Sequence, residues 1–176
     1  MTTAVRIVLV LFCLGGTMCS IASEGGSSNT HVVASIRLML TANQVSQAAI
    51  EATFCHKLVQ KQSGRFGYIG YSSNQNDCVL PVTSIQLDVP SSGEGADTFV
   101  TIWLDRKSCM QRKFFEREFS GGSSSISVDS GSPIYNSKVG ADIVGARYET
   151  LASRYNCVSE IYLRIKSNQL NYRPKK

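Results

Sequence analysis

Apolar residues recur at every second position in several stretches of the chain, and this is the pattern of half-buried β-strands. The clearest stretch is 79–89, where Ile85, Leu87 and Val89 share one face. Pro81 lies within it, and because proline cannot donate a hydrogen bond to a neighbouring strand, we predict that this strand lies at a sheet edge. Further strands are predicted at 32–40, 98–104 and 157–166.

The stretch 98–104 is apolar on both faces, with Val100 and Ile102 on one face and Phe99 and Trp103 on the other. Strands that are buried on both faces belong to the middle of a sheet. We therefore predict that this strand is central and that Trp103 belongs to the core.

Two helices are predicted where a Ser/Thr-x-x-Gln sequence offers a capping box at the helix start. The first box begins at Thr41, and its helix is predicted to run to about residue 62, before Gly64. The second begins at Ser108, and its helix is predicted to end before Gly121. The signal in 121–156 is weak; we predict a short strand at 126–128 and a helix at 142–154.

The predicted order is strand, helix, strand, strand, helix, irregular insert, strand. This is the βαββαβ order of a ferredoxin-like α+β sandwich, in which two helices cover one face of a four-stranded antiparallel sheet. The insert precedes the last strand. We predict a flexible lead-in at 23–31, a single α+β domain at 32–167 and a basic C-terminal tail at 168–176.

The first 22 residues have the pattern of a secretion signal. Arg6 precedes an uncharged apolar run at 7–14, and Ser20-Ile21-Ala22 fits a small-x-small cleavage site. The run is too short to span a bilayer, so we expect no stable membrane anchor. The sequence therefore predicts a secreted, extracellular protein.

A secreted protein folds in an oxidising compartment, which favours disulfides over free thiols. Cys55, Cys78, Cys109 and Cys157 follow the predicted signal, and an even number of cysteines in a secreted protein usually forms disulfides. Three pairings are open. We predict Cys55–Cys78, because the chain between them is short, and Cys109–Cys157 as the remaining pair. The second bridge requires the insert to carry the chain back to the start of the second helix.

Residues suited to catalysis are few. His31 lies in the predicted lead-in, and His56 follows Cys55 on a helix, where neighbouring side chains diverge by about 100° and cannot form a nucleophile–base pair. A ribonuclease-like set of Glu51, His56 and Arg37 is conceivable, but the three are predicted on different faces. Glu116 and Glu118 are interpreted as a solvated helix face. We expect a protein that is not an enzyme.

The cysteine spacing lacks the short gaps of a zinc site, and no nucleotide-binding motif occurs in the sequence, so we expect no metal and no cofactor. The net charge of +5 is too small to indicate a nucleic-acid partner.

Aromatic and basic side chains cluster in the Gly/Tyr/Ser-rich loop that follows the first helix. Exposed tyrosines and arginines are frequent in binding surfaces, and we predict one from Arg65, Phe66, Tyr68 and Tyr71. The favoured hypothesis is a secreted, non-catalytic protein that binds an extracellular or cell-surface macromolecule, either a protein or a glycan. The alternatives are a structural component of a matrix, wall or coat, and a small secreted hydrolase.

Overall fold

The computed structural model describes residues 28–41, 45–73, 80–91, 96–150 and 156–166. These residues form three helices and nine strands. The helices are α1 (Ser28–Thr41), α2 (Gln47–Phe54) and α3 (Arg112–Glu118). The strands are β1 (Val59–Gln62), β2 (Tyr68–Ser73), β3 (Val82–Pro90), β4 (Thr98–Leu104), β5 (Met110–Gln111), β6 (Ser123–Ile126), β7 (Pro133–Val139), β8 (Asp142–Tyr148) and β9 (Cys157–Ile165).

All nine strands belong to one sheet with the order β1-β2-β3-β4-β9-β8-β7-β6, and β5 pairs with β9. Every pairing is antiparallel. The chain therefore builds two antiparallel meanders, β1–β4 and β6–β9, and joins them where β4 pairs with β9. These two strands form the middle of the sheet.

The hydrophobic core lies on one side of the sheet, which we call the inner face. Its central row crosses five strands from Ile85 through Ile102, Ile161 and Ala146 to Tyr135, each opposite the next. These residues are at most 5% exposed. The helices contribute to the same cluster with Val32, Ile36, Ile50, Phe54 and Phe115. All three helices thus cover the inner face.

This architecture overturns the ferredoxin-like prediction, because the sheet has nine strands instead of four. The predicted insert at 121–156 contains β6, β7 and β8, and the predicted helix at 142–154 is wrong. In β8, Val144, Ala146 and Tyr148 are buried and face the core. Their two-residue period is that of a strand, so β8 extends the sheet.

The first predicted strand is also wrong, since residues 32–40 lie within α1. The buried residues of α1 are Val32, Val33, Ile36, Met39 and Leu40, which recur with a helical period. Leu38, which a strand would have placed with Ile36 and Leu40, is 64% exposed. Because α1 begins at Ser28, residues 28–31 of the predicted lead-in are helical.

Neither predicted capping box forms as expected. Ser46 caps α2 by accepting a hydrogen bond from the Ala49 amide, whereas Thr41 ends α1 and donates its hydroxyl to the Arg37 carbonyl. Ser108 lies in a turn and donates to the carbonyl of Asp105. In place of the helix predicted from Thr41 to about residue 62, the chain forms the short α2 and then β1, and the helix predicted from Ser108 is α3, which starts only at Arg112.

The strand containing Pro81 is not an edge strand. Pro81 precedes β3, which pairs with β2 on one side and β4 on the other. Since the proline lies before the first ladder bond, it removes no hydrogen bond from the sheet. The prediction that 98–104 forms a central strand is correct, because β4 lies between β3 and β9.

The predicted Cys109–Cys157 disulfide is present, with the two Cα atoms 5.0 Å apart. Strand β5 brings the cysteines together, because Gln111 pairs with Cys157 and Met110 with Val158. Cys55 is disulfide-bonded, but its predicted partner Cys78 lies outside the described residues. The predicted signal at 1–22 and the predicted tail at 168–176 also lie outside them.

Candidate functional site

The side of the sheet opposite the inner face is the candidate site, and we call it the open face. Within the described ranges no helix packs on it. Four half-buried aromatic residues from three strands lie on this face and define an aromatic strip: Tyr68, Phe99, Trp103 and Tyr162.

The pairing of the central strands fixes what surrounds each aromatic ring. Phe99 lies between Asp88 on β3 and Arg164 on β9. Trp103 lies between Ser84 and Glu160. The open face therefore mixes rings with polar and charged side chains, while the inner face of the same strands is apolar.

The end of the open face near the β1–β2 hairpin is held by Arg65. Its guanidinium lies 3.9 Å from the centroid of the Phe99 ring, within the range of a cation–π contact. Its Nε lies 3.5 Å from Oδ2 of Asp88, and the Tyr68 ring centroid is 5.8 Å from that of Phe99. A hairpin residue is thus fixed onto the central strand.

Asp88 is the polar centre of this arrangement. Its side chain is only 5% exposed, and a carboxylate buried to that degree needs hydrogen bonds. It accepts one from the Ser63 hydroxyl and one from the Gln86 amide, both at 2.9 Å. Asp88 therefore anchors the hairpin and is committed to structural contacts.

Tyr162 lies flat against the middle of the open face. A Cβ atom added at Gly145 would lie 2.1 Å from the Cζ atom of Tyr162, so the ring occupies the space that a side chain would take. The Tyr162 hydroxyl donates a hydrogen bond to Oδ1 of Asn136. Burial raises the pKa of this phenol, which keeps it a hydrogen-bond donor.

Three arginines of the open face are paired with carboxylates. Arg147 contacts Glu160 at 3.2 Å, and Arg164 contacts Asp97. With the Arg65–Asp88 pair, three arginines of this face each have an acidic partner. Lys61 and Lys138 lie on the same face, exposed and outside these pairs, so the open face carries more basic than acidic groups.

The structure brings together three of the four residues predicted as a binding surface. Arg65 and Tyr68 join the aromatic strip, and Phe66 lies fully exposed at the tip of the hairpin. Tyr71 does not join them, because it packs against the core on the inner face. The hairpin also lines an open depression of about 520 Å³ formed by residues 60–69.

Sequence analysis missed the larger part of this face. Trp103 was predicted in the core, yet it lies on the open face beside Glu160. Tyr162 was not singled out, although it alternates with the buried Ile161 and Leu163 of β9. That alternation could have indicated that Tyr162 lies on the face of β9 opposite to Ile161 and Leu163.

Each residue of the conceivable ribonuclease-like set, Glu51, His56 and Arg37, makes its own structural contacts. Glu51 accepts hydrogen bonds from the Leu58 amide at 2.8 Å and the Gln47 side chain at 3.0 Å. His56 is 1% exposed, with Nε2 lying 3.3 Å from the Val82 carbonyl oxygen. Arg37 pairs with Glu118 on α3. These contacts join α1, α2 and β3 to their neighbours.

Glu116 is not part of a solvated helix face as predicted. It accepts hydrogen bonds from Arg112 at 2.8 Å and from the Tyr148 hydroxyl at 3.1 Å. Burial, followed by the charge of Glu116, raises the pKa of Tyr148 well above its usual value. The arrangement fastens α3 to β8.

Three further tests bear on function. The described residues hold no group of three or more His, Cys, Asp or Glu side chains arranged to bind a metal ion. Among the described helices, none is long and apolar enough to cross a membrane. Comparison with protein-family models, curated proteins and solved structures finds no match to this chain.

Proposed function

We propose that this chain is a secreted, non-catalytic protein that binds an extracellular or cell-surface macromolecule through the open face of its sheet. The supporting observation is the contrast between the two sides of the central strands. The inner side is closed by three helices, and the other carries the aromatic strip among paired charges.

The composition of the open face resembles that of a recognition surface. The solvated face of an antiparallel sheet is usually polar, but here β4 and β9 place Phe99, Trp103 and Tyr162 on it. Tyrosine and tryptophan combine a large apolar surface with a hydrogen-bonding group, and they are over-represented among residues that dominate binding energy.

The binding role is also favoured by how the charged groups are used. The carboxylates nearest to the strip, Asp88 and Glu160, are tied to Arg65 and Arg147. General acid–base catalysis needs a group that can exchange a proton with a substrate. Carboxylates held by arginine act as fixed parts of the surface.

Binding can be tested on whole cells or matrix of the producing organism, using fluorescently labelled protein. We expect saturable binding that falls at least tenfold in Trp103→Ala and is unchanged in Leu38→Ala. Leu38 is a matched control because it is apolar and exposed but lies on α1. Equal binding by the two variants, with both folded by circular dichroism, contradicts the proposal.

Secretion requires a separate test, because it rests on the sequence of the first 22 residues. Expression of the full chain in eukaryotic cells should release protein into the medium, and its mass should correspond to a start near Ser23. Protein retained inside the cell with Met1 intact contradicts this part of the proposal.

A further inference from the structure

We infer that one end of the sheet docks on a membrane surface rich in anionic lipid headgroups, with the Phe66 ring inserted among the lipids. This end, which we call the hairpin end, is formed by the tip of the β1–β2 hairpin (63–67), the connection from β3 to β4, the turn from β7 to β8 and the end of β9. The inference goes beyond the proposed function and does not depend on the aromatic strip. It rests on an exposed ring, on how the tip that carries the ring is held, and on the distribution of charge.

The exposed ring is that of Phe66, at the tip of the hairpin. Its relative exposure is 104%, so within the described part of the chain the ring packs against nothing. The core of the protein therefore gains no free energy from this aromatic side chain. At a membrane surface, by contrast, an aromatic ring buries its apolar area at the boundary between headgroups and acyl chains.

Hydrogen bonds hold the backbone on both sides of Phe66. The Arg65 amide donates to the Ser63 hydroxyl at 3.0 Å. The Gly67 carbonyl accepts hydrogen bonds from the amide and the hydroxyl of Ser91, at 2.9 and 2.7 Å. The tip is thus fixed before binding, so insertion of the ring requires little further ordering of the chain.

Basic side chains share the hairpin end with Phe66. Lys61 lies on β1 just before the tip, Lys138 lies next to the last residue of β7, and Lys166 directly follows β9. Among the described residues, no carboxylate lies within ion-pair distance of Lys61 or Lys138. The sequence at 168–176, which follows Lys166, adds further basic residues and no acidic ones. The hairpin end therefore combines an exposed ring with exposed positive charge.

The carboxylates described at this end are at most 9% exposed: Asp88, Asp97 and Asp142. Two of them pair with the half-exposed side chains of Arg65 and Arg164. Glu94, in the connection from β3 to β4, lies outside the described residues. Because the basic groups are exposed while the described carboxylates are buried, the hairpin end presents mainly positive charge to an approaching surface. Anionic lipids attract such charges, and each lysine or arginine near the membrane strengthens binding about fivefold.

A lipid surface accounts for the ring and the charges together. Lys61 on β1 and Lys138 on β7 are separated by six strand spacings, or about 29 Å. A membrane can meet charges that far apart, whereas a small anion can meet only one or two of them. A sulfated glycan could also span this distance, but binding through charge alone gives no role to the fully exposed ring of Phe66. The ring therefore favours the lipid surface.

The experiment measures co-sedimentation of the full secreted protein with two kinds of vesicle. One is phosphatidylcholine alone, and the other contains equal parts of phosphatidylcholine and phosphatidylserine. We expect saturable binding to the mixed vesicles that weakens at high salt, and at least tenfold weaker binding to phosphatidylcholine alone. Absence of binding to the mixed vesicles, or equal binding to both kinds, overturns the inference.

Phe66→Ala tests the insertion of the ring. Affinity for the mixed vesicles should fall about fivefold or more, because the apolar area of the ring is no longer buried in lipid. Val128→Ala is the matched control, since Val128 is 99% exposed at the tip of the β6–β7 hairpin, at the opposite end of the sheet. Its affinity should be unchanged. Equal binding by Phe66→Ala and the unmodified protein overturns the inference.

Lysine variants test the position of the charge. Lys61→Gln and Lys138→Gln should each weaken binding to the mixed vesicles about fivefold. Lys107→Gln removes the same charge from the exposed turn after β4, at the opposite end of the sheet, and should leave binding unchanged. Equal losses in all three variants would mean that binding follows the total charge of the protein, which overturns the inference.

Two further measurements separate this inference from its alternatives. Tighter binding of a heparin hexasaccharide than of the mixed vesicles would identify a sulfated glycan as the partner and overturn the inference. Trp103→Ala, which alters the open face, should bind the mixed vesicles as the unmodified protein does. If Trp103→Ala lowers binding to cells while no protein binds the vesicles, this inference is wrong and the proposed function stands. Vesicle binding without any Trp103-dependent binding to cells gives the reverse result.

Discussion

The two faces of strand β4 show how one strand serves stability on one side and recognition on the other. Val100, Ile102 and Leu104 point inward and are at most 4% exposed. Phe99, Thr101 and Trp103 point the other way and are half-buried. The inner residues meet side chains from helices and neighbouring strands, whereas the open-face residues have neighbours within the sheet.

Charges on the two faces are also handled differently. On the open face Asp88 and Glu160 are each paired with an arginine. On the inner side, at the end of the sheet, Asp142 is 3% exposed, and burial raises the pKa of its carboxyl group. Changes to the inner face should therefore alter folding, and changes to the open face should mainly alter binding.

The largest expected effect is that of Ile102→Ala. Ile102 is completely buried between Ile85 and Ile161, and truncating such a residue leaves a cavity that costs about 2–5 kcal/mol of unfolding free energy. Urea denaturation followed by circular dichroism measures the loss as a lower midpoint at unchanged slope.

The matched control is Thr101→Ala, one residue away on the open face. It removes a similar number of atoms, but the change in stability should stay below about 1 kcal/mol. Equal losses for the two variants would mean that the faces do not differ in packing.

A smaller effect is expected for Gly145→Ala, which acts on the open face. The new methyl group would meet the Tyr162 ring, and overpacking of this kind costs about 1–3 kcal/mol. The ring must move, so binding through the open face should fall as well. In a Tyr162→Ala background the same change should cost little.

Gly64→Ala is the control, since a Cβ atom there meets nothing within 4 Å. Its effect on stability should stay within about 0.5 kcal/mol. A Gly145→Ala protein with full stability and full binding would show that Tyr162 is not held where the structure places it.

The parts of the fold that sequence analysis predicted correctly depend on local alternation. Strand β4 alternates strictly between buried and less buried positions, β9 does so from Glu160 onward, and both strands were predicted. The prediction of a strand at 32–40 was wrong because the stretch fits two periods. Ile36, Leu38 and Leu40 alternate as in a strand, whereas Val32, Ile36, Met39 and Leu40 recur as in a helix. β-Branched residues are a weak guide when both periods fit.

The candidate site was only partly predictable for a different reason. Arg65, Phe66 and Tyr68 are close in sequence, and their composition indicated a surface. Trp103 and Tyr162 become neighbours only because β4 pairs with β9, two strands separated along the chain by α3 and the whole β6–β8 meander. No local pattern specifies that pairing, so the aromatic strip could be recognised only from the sheet order.

A small effect is expected from the charge pair on the open face. Arg147 and Glu160 lie 3.2 Å apart, with side chains 39% and 15% exposed, and such pairs contribute about 0.2–1 kcal/mol. A double-mutant cycle with Arg147→Ala and Glu160→Ala measures this coupling, which should weaken in 0.5 M salt. Coupling well above this range would mean that the open face is buried by another surface.

The least change at any single pH is expected for Asp142→Asn, which tests the charge on the inner side. The Asp142 carboxyl accepts a hydrogen bond from the Lys166 amide at 3.0 Å, and its pKa is raised by burial and, to a smaller extent, by the charge of Asp97. A raised pKa means that the folded state binds the proton more tightly than the unfolded state. The resulting stability is fully present below the unfolded pKa, near the usual aspartate value of 3.8, and is lost as the pH rises through the folded pKa. Asparagine can still accept the Lys166 hydrogen bond but does not ionise. The stability of Asp142→Asn relative to the unmodified protein should therefore increase with pH above about 4 and then level off.

Urea midpoints measured for both proteins between pH 3 and pH 7 give this difference directly. If the variant instead loses stability relative to the unmodified protein over that range, the ionised carboxylate is the stabilising form, and the inner side tolerates charge as the open face does.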